Sequence, residues 1–225
     1  MTDYLSGRRC RGLSKDYIRQ IEEGVIVPTP EELDLLGEVY DMTEIEWRFL
    51  HLLASNEVNG PAPIPEVVLP DACGRRVDAH SPFPAAVLDH RWNILYANIE
   101  YRRVLRGIRA PQDNFLDWMF LDDNARSIVI DFATEARWLV GRFRFAIATH
   151  PNDPQLTQLL ERCHSDSLFA AAWNDPVVLA DGPGAMAMHW YHRDSGRTLR
   201  ITEEHPPDNR WLTLHLAHPV TDFEI

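Results

Sequence analysis

A short break divides this chain into two stretches with different periodicities. From Asn56 to about Pro70 the sequence carries Gly60, Pro61, Pro63 and Pro65. Proline fixes its own backbone and has no N–H to donate, so this composition fits a stiff linker better than a helix or strand. We assign the linker to residues 57–70, between an N-terminal part over 1–56 and a larger part over 71–225. Each part has to find its own core.

The first part reads as three short helices. Ser14 is placed to cap a helix through Tyr17, Ile18 and Ile21, with Gly24 at the position where a left-handed residue ends it. Thr29-Pro30-Glu31-Glu32 is a capping box with proline at the first helical position, followed by the stripe Leu33, Leu36, Val39 and Tyr40. Thr43 and Glu46 repeat the box, and Ile45, Phe49, Leu50 and Leu53 give the third helix its expected buried face.

The second part mixes periods. Pro84–Leu88 and Trp92–Ala97 flank a polar turn and predict a hairpin, after which Asn98 caps a helix through Tyr101, Val104 and Leu105. Asp122, Asp123 and Asn124 are capping candidates for one long helix, whose apolar positions run from Ile128 through Phe132, Ala136, Leu139 and Phe143 to Ile147 and stop at His150-Pro151. Helices are expected from about Pro154 to His164 and from Ser167 to Trp173. Alternating segments at Ala185–Tyr191, Thr198–Thr202 and Trp211–Leu216 predict an antiparallel sheet at the C-terminal end.

The composition is that of an ordinary globular protein, with 45% hydrophobic and 25% charged residues. No apolar run approaches the roughly 20 residues that span a bilayer, and the N-terminus has neither an apolar signal core nor a cleavage site, so a cytoplasmic protein is expected. Cys10, Cys73 and Cys163 have no metal-binding or disulfide spacing and read as reduced thiols. The net charge of −12 opposes general nucleic-acid binding, which needs widely spread positive charge. Any DNA contact has to be local, and Arg8, Arg9, Arg11, Lys15 and Arg19 form the one early basic cluster.

The stretch GLSKDYIRQIEEGVIVPTPEELDLLGEVYDMTEIEWRFLHLLA resembles the back half of an XRE-type, lambda-repressor-like helix-turn-helix. The capping serine, the packed aromatic and aliphatic pair, Glu-Gly and a proline turn fall on Ser14, Tyr17, Ile18, Ile21, Glu22, Gly24 and Pro28. The resemblance implies that Ser14, Lys15 and Asp16 meet base edges in the major groove of double-stranded operator DNA, with Arg19 one turn on. Arg8, Arg9 and Arg11 would meet phosphates. Only Met1 to Gly12 precede the recognition helix, so this helix-turn-helix reads as partial, lacking its first helix. Operator geometry in this class of motif also implies a homodimer.

From Ser81 to about Trp173 the chain resembles the ligand-binding domain of MmyB-like regulators, which is PAS-like. The matching segments are FPAAVLDHRWNILYAN, NFLDWMFLDDNAR, the helix ending in ATHPNDPQL, and HSDSLFAAAW. The expected fold class is therefore α+β: a small all-α segment followed by a PAS-like domain with an antiparallel sheet and packed helices. The resemblance implies a small apolar ligand, of the fatty-acyl kind, held between sheet and helices. Val87, Ile94, Tyr96, Trp118, Phe120, Phe143, Met186, Met188 and Trp190 are the candidate lining residues, chosen because they alternate on strands or fall on an apolar helical stripe. For any one of them, plain core packing is the simpler role.

His189-x-x-His192 and His215-x-x-His218 invite a metal, yet strand residues three apart face opposite sides of a sheet. No P-loop, nucleophile elbow, GxGxxG or HExxH is present, so no cofactor, metal or enzymatic activity is expected. Two functional readings follow. The chain is a ligand-responsive, DNA-binding transcription regulator, or a degenerate relative that binds ligand or a protein partner without DNA.

Overall fold

The computed structural model describes residues 13–59, 63, 66–109, 113–175 and 188–220. It divides into two compact units, one of residues 1–63 with 148–152, the other of 64–147 with 153–225.

The smaller unit holds the three expected helices, α1 (Lys15–Glu22), α2 (Pro30–Tyr40) and α3 (Glu44–Asn59). Ser14 accepts the Tyr17 N–H at 3.1 Å, which starts α1, and Gly24 at φ +70° follows its end. Thr29 and Glu32 close a capping box, as do Thr43 and Glu46, so each box satisfies two backbone donors that a helix start leaves open. The core is small: Ile18, Leu33 and Leu36, with Leu13, Ile21, Leu50 and Ala54 against it. Leu53, expected on the buried face of α3, is 41% exposed, because Leu50 and Ala54 carry the inward stripe instead. That helix also runs to Asn59, three residues into the segment assigned to the linker.

The larger unit is built on one five-stranded antiparallel sheet, β1 (Ala85–Asp89), β2 (Ile94–Ala97), β3 (Met188–His192), β4 (Arg197–Glu204) and β5 (Leu212–Pro219), in the order β2-β1-β5-β4-β3. Helices surround it: α4 (Asp71–Ala79), α5 (Ile99–Val104), α6 (Phe115–Leu121), α7 (Ala125–Ile128), α8 (Phe132–Thr149), α9 (Pro154–Cys163) and α10 (Ser167–Asn174). The architecture is α+β, with helices preceding an antiparallel sheet and packed against it, as expected.

The helix α4 has only two inward residues, Cys73 and Val77, one turn apart. They pack with Ala85, Val87, Leu212, Leu214 and Leu216 on one face of the sheet. The opposite face carries the main core, where Ala86, Leu88, Met188, Trp190, Leu199, Ile201 and Ala217 meet α5 to α10. Central strands β1 and β5 are thus covered on both faces, which explains their continuous apolar runs.

The single long helix expected from Asp122 is interrupted. α7 ends at Ile128, Val129 bridges to Trp190, and the Ile130 N–H donates to the His189 carbonyl at 2.8 Å before α8 begins. Residues 129–131 therefore leave the helical path to pair with the free side of β3. At the other edge, Asn93 bridges to Asn114 and the Ile94 N–H donates to the Asp113 carbonyl at 3.0 Å.

Candidate ligand-binding core

The main core of the larger unit places six of the expected lining residues in one cluster: Ile94, Trp118, Phe120, Phe143, Met188 and Trp190. Val87 and Tyr96 are not among them and lie on the α4 face, where the Tyr96 hydroxyl donates to the Asp78 carboxylate at 3.0 Å. Val87 lies there by plain alternation with the inward Ala86 and Leu88; for Tyr96 the cause is a register shift between Val87 and Leu88, pairing Leu88 with Ile94 but Val87 with Tyr96. One extra residue in β2 turns Tyr96 away from the face that Ile94 keeps. Met186 lies outside the described residues.

Aromatic rings fill the centre of this cluster. Trp190 has its ring centroid 5.6 Å from Tyr101, 6.1 Å from Phe115 and 6.2 Å from Trp118, and Phe115 stands edge-on to His215 at 5.0 Å. A second group joins Phe143 to Trp92 at 5.8 Å and Phe169 to Phe120 at 5.0 Å. Ile94, Phe143 and Trp190 have no accessible surface at all, so no water-sized space adjoins them. A ligand of any size enters this centre only by displacing side chains, since a packed interior has no slack to share.

Running through the same core is a chain of polar groups that the sequence reading missed. The Tyr101 hydroxyl lies 3.1 Å from His215 Nδ1, His215 Nε2 lies 3.0 Å from Glu203 Oε1, and both Glu203 oxygens accept from Arg142 Nη1 at 2.8 and 2.6 Å. Burial alone would push the Glu203 carboxyl up, but Arg142 and His215 overcome it and hold it down at about 2. The Arg142 guanidinium sits over the rings of Trp92 and Trp138, 5.6 and 4.7 Å from their centroids. Burial and the Glu203 charge raise the Tyr101 phenol well above its ordinary value.

Signals for these residues were present. Glu203 continues the inward alternation Leu199, Ile201 along β4, and Arg142 falls on the α8 stripe beside Leu139 and Phe143. His215, the first histidine of the second His-x-x-His pair, is a core histidine with two partners. Among the described residues no group of three or more His, Cys, Asp or Glu is placed to hold a metal ion.

Several buried polar atoms in this core have no hydrogen-bond partner: the indole N–H groups of Trp118, Trp138 and Trp190, and one carboxyl oxygen of Glu135. The other Glu135 oxygen accepts the His189 N–H at 2.7 Å. Burial pushes the Glu135 carboxyl up to about 8, with the nearby Asp131 charge adding to the rise. A buried donor that finds no partner costs on the order of 1–3 kcal/mol.

Of the residues expected at DNA, Ser14, Lys15, Asp16 and Arg19 all lie exposed on α1. Ser14 is engaged as the helix cap, and Arg19 sits 3.6 Å from Asp16 and 4.0 Å from Glu23. Arg8, Arg9 and Arg11 lie outside the described residues. Among the described residues no helix is long and apolar enough to cross a membrane.

None of the curated proteins matches the chain. Residues 69–223, which include the whole sheet, the aromatic centre and the polar chain, match the MmyB-like transcription regulator ligand binding domain, which is a ligand-binding family and not a class of enzyme. The chain belongs to that family.

Proposed function

We propose that this protein is a ligand-responsive transcription regulator that binds operator DNA as a homodimer through α1 and senses a small apolar molecule of the fatty-acyl kind. The family match over residues 69–223 carries this reading. The core supports it in kind: six of the expected lining residues converge on one face of the sheet, together with polar atoms that lack partners. Ligand that opens this centre would shift the equilibrium between two packings, and DNA affinity would follow only if the two packings differ in it.

On the DNA side, Lys15, Asp16 and Arg19 are exposed on α1, whose buried residue is Ile18. The chain's −12 charge restricts phosphate contacts to few sites, so the dependence of affinity on salt should be shallow, with a slope of about −0.9 per phosphate met. The test is fluorescence anisotropy of the whole chain with DNA from its own promoter, at two salt concentrations, with and without a long-chain fatty acid. Salt-sensitive binding that the acid alters supports the reading; DNA binding indifferent to every apolar ligand removes the sensing half.

A regulator that keeps ligand binding without DNA binding is the second reading. It is favoured by the acidic surroundings of Arg19, whose neighbours within 4.0 Å are Asp16 and Glu23. Absence of promoter binding at low salt, combined with a ligand-dependent rise in melting temperature, would establish it.

A further inference from the structure

On the face of the sheet that carries α4, the helix packs on β1, β2 and β5, whereas Tyr191 of β3 and Arg200 of β4 are exposed. Alternation puts Arg200 on this face, because Leu199 and Ile201 on either side of it belong to the main core. The register then lines up three strands: His189 lies opposite Arg200, and Arg200 lies opposite His218. His80, at the end of α4, closes the row, its ring 5.2 Å from that of His218 and edge-on to it. The backbone N–H and carbonyl of His189 turn away from β4, to Glu135 and Ile130. His189 and Arg200 are therefore a non-hydrogen-bonded pair, the kind whose side chains stand closest, with Cβ atoms about 5 Å apart.

Like charges directly opposite one another on a sheet are unfavourable, and a chain with 34 acidic residues against 22 basic ones has no shortage of carboxylates to separate them. Other arginines of the larger unit are matched in this way, Arg126 with Asp166 and Arg162 with Asp117 among them. The row is not. Arg200 and the His189 ring make no hydrogen bond or ion pair among the described residues. Carboxylates on the neighbouring elements are engaged elsewhere: Glu204 by Arg76, Asp78 by the Tyr96 hydroxyl, Asp131 by the Thr134 N–H at 3.4 Å and Glu135 by the His189 N–H at 2.7 Å.

The two outer rings have their first proton committed. His80 Nε2 lies 2.8 Å from the Ala217 carbonyl and donates to it. His218 Nε2 lies 3.2 Å from the Thr202 hydroxyl, whose own proton goes to the Leu216 carbonyl, so the ring is again the donor. A second proton on either ring goes to Nδ1. Burial and the charge that His80 can carry hold the His218 ring below its ordinary value, with Arg200 adding to the effect and Glu204 opposing it.

We infer that the row His189, Arg200, His218 and His80 is a binding site for the phosphate group of a small molecule. A phosphate monoester carries nearly two charges near neutral pH and three strong acceptor oxygens. The Arg200 guanidinium offers it a rigid fork of donors, and the rings add donors on either side. From β3 to β5 the row spans about 10 Å, which suits one such group and not a long polyanion. An anion among the rings favours their charged forms, so binding takes up protons and tightens as pH falls. The site lies on the face of the sheet opposite the aromatic centre and stands independently of the apolar ligand and of α1.

The experiment follows the histidine ring signals of the whole chain by NMR during titration with phenyl phosphate at pH 7. Expected is saturable binding that moves the ring signals of the row, at least fivefold weaker in Arg200→Gln and unchanged in Arg210→Gln, which removes the same charge near the other end of β5. Both arginines are exposed, and matched melting temperatures check that the variants fold. Sulfate stays doubly charged across neutral pH, so its titration reports the protein's own protons. It should bind at least threefold more tightly at pH 6 than at pH 8, and that ratio should fall below twofold in the double variant His189→Asn, His218→Asn. Ring signals that phenyl phosphate leaves unmoved, equal weakening by the two arginine variants, or a pH ratio that the double variant keeps overturns the site. A short DNA duplex that binds through Arg200 while phenyl phosphate does not overturns the small-molecule assignment.

Discussion

Arg142 and Glu203 meet inside the larger unit with both carboxylate oxygens on one guanidinium nitrogen, at 2.6 and 2.8 Å, and with side chains only 10% and 2% exposed. An ion pair so buried stabilises little against an apolar replacement of the whole pair, yet removing Arg142 leaves the Glu203 charge out of reach of solvent with only the His215 ring beside it. Arg142→Ala is therefore expected to cost about 3–5 kcal/mol in urea unfolding. Adding Glu203→Gln to that variant should restore part of the loss, because the stranded charge is gone. Equal stability of the single and double variants would refute this account.

The same carboxylate sets an acid limit. Glu203 titrates at about 2 in the folded chain and near 4.3 when unfolded, so its stabilisation is complete above the unfolded value and is lost as pH falls from there toward 2. Denaturation midpoints should drop across that interval in the wild type. In Glu203→Gln the drop should be smaller.

Glu135 has the opposite sign. Its folded value near 8 lies above the unfolded one, so the native state holds a proton that the unfolded state has released, and stability declines as pH rises from about 4.3 to 8. Glu135→Gln keeps an oxygen for the His189 N–H and removes the titration. The variant's melting temperature relative to wild type should climb between pH 5 and pH 8 and level off beyond. A constant difference over that range would show that Glu135 is not buried as its proton.

Asp153 combines two duties on one side chain. One oxygen caps α9 through the Gln155 and Leu156 N–H groups at 2.9 and 3.4 Å, and the other accepts from Arg91 Nε at 2.5 Å. Asp153→Asn retains a capping oxygen and loses the ion pair, whereas Asp153→Ala loses both. Thermal unfolding should rank wild type above Asn above Ala, with the step from Asn to Ala near the roughly 1 kcal/mol of a helix cap. Identical melting of the two variants would mean that the cap contributes nothing.

What the sequence revealed and concealed follows from how far apart the determining groups lie in the chain. Helix starts at Ser14, Thr29, Thr43 and Asn98 are legible because a cap and its partner sit within three residues. The break after Ile128 was not legible, since the periodicity continues through Phe132 and the cause is a strand some sixty residues later, whose His189 carbonyl takes the Ile130 N–H. The fate of Tyr96 was hidden in the same way, because a one-residue shift in pairing leaves the local alternation intact. The polar chain from Tyr101 to Arg142 joins four separate elements, and no local pattern announces that they converge.

Residues 129–131 and 113–115 also limit what the outer strands of the sheet offer to another molecule. An uncovered outer strand is an invitation to extend the sheet from one molecule into the next. Here the chain entering α8 occupies part of the outer side of β3, and the chain entering α6 occupies part of the outer side of β2. Each outer strand is thereby shortened as a template by the protein's own backbone. What remains of β2 and β3 for another backbone to pair with is only the stretch that these segments leave open.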